Sequence, residues 1–410
     1  MNGTRKYLQN GLLAIAVSLF VSPIAMCDVV TDWNIKAGDI VSDGKLGTPP
    51  SNRVLAIVHT AMYEAANAVT KRYPGSRLNV VAAPGASLET AIAAANRTTL
   101  EKLLPSQQAA VESAYQAALA KIPDGAAKSA GITVGEQAAA AVLASRADDN
   151  ANLVEYRPLT TAGVYVPTVI PIAVQWPKRK AWLMTNPAQF RPGPPPKLAS
   201  EVWARDYNEI KALGGRNSTQ RTAEQTEIAR FWEATLPPIY YGLVRSVATV
   251  PGRDVTQNAR LLAAVTQAID DAMIAVFDAK YHYNFWRPVT AICNGDMDGN
   301  DATEQDLSWA PFVETPMHPE YPCAHCIIAG AVGIVLEAEI GSNPTPILTT
   351  TSSTAKNSAR SWKKIDDFVQ EVSLARIYDG VHYRFSTQVG TAMGKQIGAL
   401  AVAKFVQRAD

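Results

Sequence analysis

The segment that decides the fold class is VLAIVHTAMYEAANAV, at positions 54–69. Its apolar residues recur at a spacing of three and four, which is the periodicity of an α-helix with one buried face. These residues are Val54, Ile57, Val58, Ala61, Met62 and Ala65. The segment therefore predicts a long amphipathic helix that packs against other helices.

The same periodicity predicts helices along most of the chain. Convincing strands are scarce, because the β-branched stretch 164–174 contains Pro167 and Pro171 and suits an extended connection better. The sequence therefore predicts an all-α fold. Its further candidate helices are 88–104, 106–122, 131–145, 201–213, 223–235, 258–280, 327–340, 359–378 and 386–406.

Composition indicates a compact globular protein without a general affinity for polyanions. The chain has 410 residues, of which 47% are hydrophobic and 18% charged. A formal net charge of +1 gives no overall attraction to nucleic acid or to a membrane surface. Any anion-binding site must therefore come from a local cluster of basic side chains.

The N-terminus resembles a targeting signal. Arg5 and Lys6 precede an apolar run at 12–25 that is too short for a stable membrane span. We predict a signal peptide at 1–27, and we favour cleavage over a lipid anchor on Cys27 because Met26 precedes it. No later stretch is apolar enough to cross a bilayer, so we expect an exported, periplasmic or secreted protein. Its oligomeric state is left open.

A proline-rich segment at 191–197 divides the mature chain. Three successive prolines there forbid a helix and favour a stiff, extended spacer. We place an N-terminal helical region at 28–190 and a C-terminal helical bundle at 198–410. One integrated domain is favoured over two independently folding units.

Three segments of the C-terminal region carry potential chemistry. In the first, Lys280 and Arg287 are seven residues apart and Pro288 follows, so the two cations could hold one anion. In the second, His325 follows a proline-rich turn at the start of an apolar helix, where free N–H groups favour an anion. In the third, Gly380 lets the chain turn and brings His382 towards Arg376.

Each segment alone has an ordinary structural explanation, whereas their joint occurrence is specific. The order Lys-x6-Arg-Pro, Pro-x-x-His and Arg-x3-Gly-x-His resembles the signature of the vanadium-dependent haloperoxidases and the related type 2 phosphatidic acid phosphatases. The surrounding sequence at 285–292 and 58–63 resembles the bacterial haloperoxidase branch. The resemblance covers nearly all of the mature chain and implies a fold of α-helical bundles.

The resemblance also implies roles for individual residues. Lys280, Arg287, Arg376 and the N–H group of Ala324 would hold vanadate, or phosphate in a phosphatase. His382 would be the vanadium ligand or the phosphatase nucleophile, and His325 would move protons. The implied partners are hydrogen peroxide, halide and a small organic substrate.

Three positions depart from the family pattern. Cys323 stands where relatives carry a serine that binds the oxyanion, Ala324 replaces a glycine, and Ser386 replaces an aspartate. His318 occupies a position where some relatives carry an aromatic residue that contacts the halide. Two alternatives to a haloperoxidase therefore stay open: an acid phosphatase of the same fold, and a catalytically silent protein.

The run Cys323-Ala324-His325-Cys326 is a second potential site. A disulfide between its cysteines is conceivable in an exported protein, whereas a zinc site is disfavoured because no second pair of ligands lies at suitable spacing. His59 and His282 fit packing positions. Among the aspartates before Lys280, one could orient a catalytic histidine, although surface charge is the commoner explanation. These aspartates are Asp270, Asp271 and Asp278.

Overall fold

The computed structural model describes residues 28–149, 152 and 154–406, so the predicted signal peptide and Cys27 lie outside it. The predicted all-α fold is confirmed. The helices are α1 Val29–Asp43, α2 Thr48–Thr70, α3 Leu88–Leu103, α4 Gln108–Leu119, α5 Ala126–Ser145, α6 Glu201–Leu213, α7 Ala223–Trp232, α8 Pro238–Ala248, α9 Val255–Tyr283, α10 Pro288–Cys293, α11 Ala324–Ile340, α12 Ile365–Tyr378 and α13 Arg384–Ala401.

One predicted helix is wrong in its first part. The stretch 359–378 was expected to be helical throughout, yet β2 (Ser358–Trp362) pairs antiparallel with β1 (Leu348–Ser352), and α12 begins at Ile365. The strand places Arg360 against Glu371 and buries Trp362. Tertiary contacts thus override helical periodicity here. Helices α1, α8 and the short α10 were not predicted.

The central helix α9 is 29 residues long and positions the first site segment. It begins with a reciprocal cap, in which the Asp254 carboxylate accepts the Gln257 N–H and the Gln257 side chain accepts the Asp254 N–H. It ends at Tyr283 and is followed by Asn284, which adopts a left-handed conformation with φ 48°. Lys280 therefore lies in the last turn of α9, and Arg287 lies just beyond it.

Helices α11 and α13 approach each other unusually closely. A Cβ atom on Gly394 would lie 2.0 Å from the Ile327 carbonyl oxygen, and one on Gly390 would lie 2.5 Å from the Cys323 carbonyl oxygen. No side chain fits at either position. The two helices thus bring the start of α11 against the segment that begins α13.

One hydrophobic cluster includes residues from both sides of the proline-rich segment, from Val30 in α1 to Phe405. Polar contacts also join the two regions: the Asp271 carboxylate of α9 accepts the N–H groups of Trp182, Leu183 and Met184 at 2.7–2.9 Å. The regions before and after the segment 191–197 thus share one hydrophobic core. Within the described residues, no helix has the length and apolar character needed to cross a membrane.

Candidate active site

Lys280 reaches the site from the last turn of α9 and is completely buried. Its Nζ atom donates to the carbonyl oxygens of Pro319 and Glu320 at 2.8 and 2.7 Å. Burial lowers the pKa of Lys280 well below its ordinary value, and Arg287 acts in the same direction. A bound anion would oppose this shift by stabilising the charged ammonium.

Arg287 connects the other two site segments. Its Nε atom donates to the His318 carbonyl oxygen at 2.9 Å, and its Nη1 atom donates to the Val381 carbonyl oxygen at 2.8 Å. Its Nη2 atom lies 3.0 Å from His318 Nδ1. Burial lowers the pKa of Arg287 to about 10. The guanidinium is thus held in place by contacts to both segments.

The contacts of His382 define its tautomer. Its Nε2 atom lies 3.3 Å from Arg287 Nη1, and its Nδ1 atom lies 2.7 Å from Glu320 Oε1. A guanidinium can only donate, so Nε2 accepts and the ring proton resides on Nδ1. Burial, followed by the charge of Arg287, lowers the pKa of His382 well below its ordinary value. The imidazole is therefore neutral, with its Nε2 lone pair on the Arg287 side.

Glu320 is the partner of His382 that sequence reasoning missed. Its carboxylate is completely buried, and Oε1 also accepts the N–H group of Tyr383 at 3.1 Å. Burial raises the pKa of Glu320 to about 7, whereas Lys280 and Arg287 act to lower it. The contact joins residues 62 positions apart. No local spacing in the sequence indicates it.

Arg376 enters the site from the C-terminal part of α12. Its Nη1 atom donates to the Trp232 carbonyl oxygen at 3.0 Å and forms an ion pair with Asp379 at 2.6 Å. Burial raises the pKa of Asp379 to about 7, although Arg376 lowers it. The Nε atom of Arg376 is buried and has no hydrogen-bond partner among the described residues. The guanidinium thus keeps one donor for a ligand.

The start of α11 supplies the third site segment. Ala324 is the first residue of the helix, so its N–H group and that of His325 have no acceptor within the helix. The His325 side chain is partly exposed, and its Nε2 atom lies 3.3 Å from the Ala234 carbonyl oxygen. Desolvation, followed by the charge of Arg376, lowers the pKa of His325 well below its ordinary value. A neutral His325 can accept a proton.

Cys323 and Cys326 form a disulfide at this helix start. The Cys323 sulfur also accepts the N–H group of Cys326 at 3.2 Å and so caps α11. A sulfur in a disulfide carries no hydrogen, so the Cys323 side chain has none to donate to an oxyanion. The backbone N–H groups are the donors that this turn offers.

These groups together suit a tetrahedral oxyanion. Three buried cations, Lys280, Arg287 and Arg376, face two buried carboxylates, Glu320 and Asp379, which leaves an excess of positive charge. The unpartnered Nε atom of Arg376 and the free N–H groups of α11 are further donors. Guanidinium groups bind such oxygens through paired donors. Phosphate and vanadate therefore both fit this set of donors.

The remaining sequence candidates lie outside this set. His59 is buried against Asn34 and Tyr241, whereas His282 is exposed and so does not occupy a packing position. The three aspartates of α9 orient no histidine: Asp270 binds Arg53 and Trp182, Asp271 binds backbone N–H groups, and Asp278 binds Arg191. Within the part of the chain that is described, no cluster of three or more histidine, cysteine, aspartate or glutamate side chains could hold a metal ion.

The C-terminal part of the chain is similar in sequence to known proteins. Residues 260–410 match the family model of the second helical-bundle domain of VCPO, a region that contains all the site residues described above except Trp232 and Ala234. The vanadium chloroperoxidase of Curvularia inaequalis is 29% identical over 178 residues, which cover 36% of this chain and 29% of that protein. The alignment thus spans less than a third of this relative's length.

Solved structures share the fold over nearly the whole chain. The first bacterial vanadium-dependent iodoperoxidase structure has a TM-score of 0.77 and 23% identity, and the match covers 92% of this chain and 96% of that one. An apo-type bacterial vanadium-dependent chloroperoxidase has a TM-score of 0.72 and 18% identity, covering 89% and 95%. The C-terminal part of the chain is thus similar in sequence to the second helical-bundle domain of VCPO, and nearly the whole chain shares the fold of bacterial vanadium-dependent haloperoxidase structures.

Proposed function

We propose that the protein is a vanadate-dependent haloperoxidase that oxidises halide with hydrogen peroxide. The observation that carries this proposal is the neutral His382, whose Nε2 lone pair lies beside the buried cation Arg287. A nitrogen lone pair is what a metal ligand requires. Lys280, Arg287, Arg376 and the Ala324 N–H group would hold the vanadate oxygens, and His382 Nε2 would bind the vanadium.

Bound vanadate would supply a Lewis-acidic centre that activates hydrogen peroxide towards halide without a redox change at the metal. The protein's own groups do the rest. The three buried cations offset the negative charge of the oxygens. Neutral His325, at the partly exposed side of the site, accepts a proton from incoming peroxide and returns it to the product.

A second candidate is an acid phosphatase that uses the same residues. The contact between His382 Nδ1 and Glu320 favours it, because a carboxylate-oriented neutral imidazole is also a competent nucleophile. In that reaction His325 would protonate the leaving alcohol. The substrate would be a phosphomonoester, and vanadate would act as an inhibitor.

One experiment separates the two activities. Purified protein is assayed for halide oxidation with hydrogen peroxide, with and without orthovanadate, and for hydrolysis of a chromogenic phosphomonoester. We expect vanadate-dependent oxidation that His382→Ala abolishes and that His282→Ala, at the exposed histidine, leaves intact. Hydrolysis inhibited by vanadate, without halide oxidation, would transfer the assignment to the phosphatase. If the protein shows neither activity, the catalytically silent alternative is favoured.

The proposal extends to the location of the protein. Export of the mature chain after removal of residues 1–27 would place the enzyme where it meets environmental halide and peroxide. A small organic molecule that accepts the oxidised halogen completes the proposed set of partners. Comparing the N-terminal residue of the protein in the culture fractions with position 28 tests the cleavage.

A further inference from the structure

The disulfide between Cys323 and Cys326 is buried at the start of α11, in the turn that supplies Ala324 and His325 to the candidate site. Cys323 caps α11, two residues before His325 and three residues after Glu320, whose carbonyl oxygen binds Lys280. Three site cations, Arg376, Lys280 and Arg287, act electrostatically on His325. The cysteine pair thus brackets His325, the residue proposed to take a proton from peroxide, at the start of α11.

A cysteine at position 323 without a neighbouring cysteine would be vulnerable to oxidation by peroxide. Thiols at a helix start and beside cations ionise readily, and the thiolate is the form that peroxide oxidises. Further oxidation gives a sulfinic and then a sulfonic acid, which no ordinary thiol reverses. Either product would place a permanent negative charge inside a site whose cations are arranged for an external anion.

Oxygens added to Cys323 would also enter a closely packed turn. The Cys323 N–H group donates to the Ser386 carbonyl oxygen at 3.3 Å. The same turn lies against Gly390 of α13, where even a methyl group would come within 2.5 Å of the Cys323 carbonyl oxygen. Cys326 lies on the next turn, with its Cα atom 5.4 Å from that of Cys323, which is within the range for a disulfide.

We propose that Cys323 and Cys326 are a peroxide-resolving pair that protects the oxyanion site from oxidation by its own substrate. In the dithiol form, the Cys323 sulfur attacks hydrogen peroxide; the O–O bond breaks, an S–O bond forms, and a sulfenic acid and one water result. The Cys326 sulfur then attacks this sulfenic acid. The S–S bond forms, the S–O bond breaks, and the departing hydroxide takes the thiol proton as a second water.

The sum is two thiols and one hydrogen peroxide giving one disulfide and two waters. The product is uncharged and carries no nucleophilic sulfur. Cys326 is thus the residue that lets a cysteine occupy the Cys323 position of a peroxide-using site. The inference rests on the proposed function only for the presence of peroxide.

The test compares three forms of the chain, all in a Cys293→Ser background because Cys293 is the free cysteine of the described residues. These are the parent, Cys326→Ser, and the double variant Cys323→Ser with Cys326→Ser. The parent is reduced with a phosphine before use. Each protein is treated with hydrogen peroxide, which is then removed. The peptide containing position 323 is weighed by mass spectrometry, and phosphate binding is measured by calorimetry.

We expect the parent to lose two hydrogens and to keep its phosphate affinity. Cys326→Ser should gain two or three oxygens at Cys323 and lose phosphate affinity about tenfold or more, because a like charge then occupies the site. The double variant should show neither change, which separates oxidation from a packing effect of serine.

Two outcomes would overturn the inference. One is a Cys326→Ser protein that peroxide leaves without added oxygens, and the other is an oxidised Cys326→Ser protein that binds phosphate as well as before treatment. If the untreated parent binds neither phosphate nor vanadate, the proposed function fails instead. In that event the mass measurement alone decides whether the pair resolves peroxide.

Discussion

At the scale of single residues, the site depends on carboxylates that pair with the functional side chains and fix their orientation. Glu320 fixes the tautomer of His382, and Asp379 pairs with Arg376. Residues that contact the ligand-binding side chains in this way commonly tune the affinity of a metal or anion site. The candidate ligands themselves were predicted from sequence, because their spacing forms a recognisable signature. Glu320 and Asp379 were not, because their roles depend on three-dimensional contacts.

The role of Glu320 can be measured directly. We predict that Glu320→Gln weakens vanadate binding by about 10- to 100-fold, because the amide no longer enforces the proton on His382 Nδ1. Calorimetric titration with orthovanadate checks this. Glu339→Gln is the control, since Glu339 is also a buried carboxylate but pairs with Arg253 and Arg260 at the other end of α11. Equal losses of vanadate affinity in both variants would mean that Glu320 has a purely structural role.

The same carboxylates predict how anion binding depends on pH. Burial raises the pKa values of Glu320 and Asp379 to about 7, so both carboxylates become protonated as pH falls through that value. The positive charge of the site is then less compensated. Sulfate, whose own charge is constant in this range, should bind on the order of tenfold more tightly below pH 7 than above it.

The histidines do not reverse this trend, because the pKa values of His325 and His382 are lowered and both stay neutral there. Sulfate titrations at several pH values check the prediction. In Glu320→Gln the dependence should become shallower. A sulfate affinity that rises with pH would contradict the electrostatic account.

At the scale of secondary-structure elements, the site depends on where α9 ends and how closely α11 meets α13. The predicted helix 258–280 corresponds to α9, which begins three residues earlier and ends three residues later, at Tyr283. The closeness of α11 and α13 was not predicted, because a glycine in a helix indicates a close approach only once its neighbour is known. The strand at 358–362 was missed because helical periodicity does not show that this stretch pairs with the strand at 348–352.

The helix contact gives a prediction about packing. Gly394→Ala should lower the free energy of unfolding by about 1–3 kcal/mol, because the added methyl group would lie 2.0 Å from the Ile327 carbonyl oxygen and force α11 and α13 apart. Denaturant unfolding followed by circular dichroism measures the change. Gly75→Ala, at an open surface position, should stay within about 0.5 kcal/mol of the parent. Similar values for the two variants would mean that the helices tolerate a larger separation.

At the scale of the whole molecule, residues before and after the proline-rich segment share one core and one buried ionic network. Arg53 of α2 pairs with Asp149 and with the completely buried Asp270 of α9. The sequence predicted one integrated domain rather than two separate units. A shared core of this kind should unfold as one cooperative unit.

Removing the cation of this network tests that expectation. Arg53→Met should lower the free energy of unfolding by about 3–5 kcal/mol, because the buried Asp270 carboxylate loses its cation and keeps only the Trp182 N–H group among the described residues. The loss should appear as a shift of a single transition in calorimetry. Arg157→Met, which removes an exposed ion pair with Glu155, should have little effect. Two separate transitions, with Arg53→Met affecting one of them, would instead indicate independent N-terminal and C-terminal units.

The central claim is that Lys280, Arg287, Arg376 and His382 form one oxyanion site with His382 Nε2 as the vanadium ligand. Calorimetric titration of the purified protein with orthovanadate, alongside His382→Ala and His282→Ala, tests it most directly. The account predicts one vanadate per chain in the parent and in His282→Ala, and a large loss of affinity in His382→Ala. Undiminished vanadate binding by His382→Ala would contradict it.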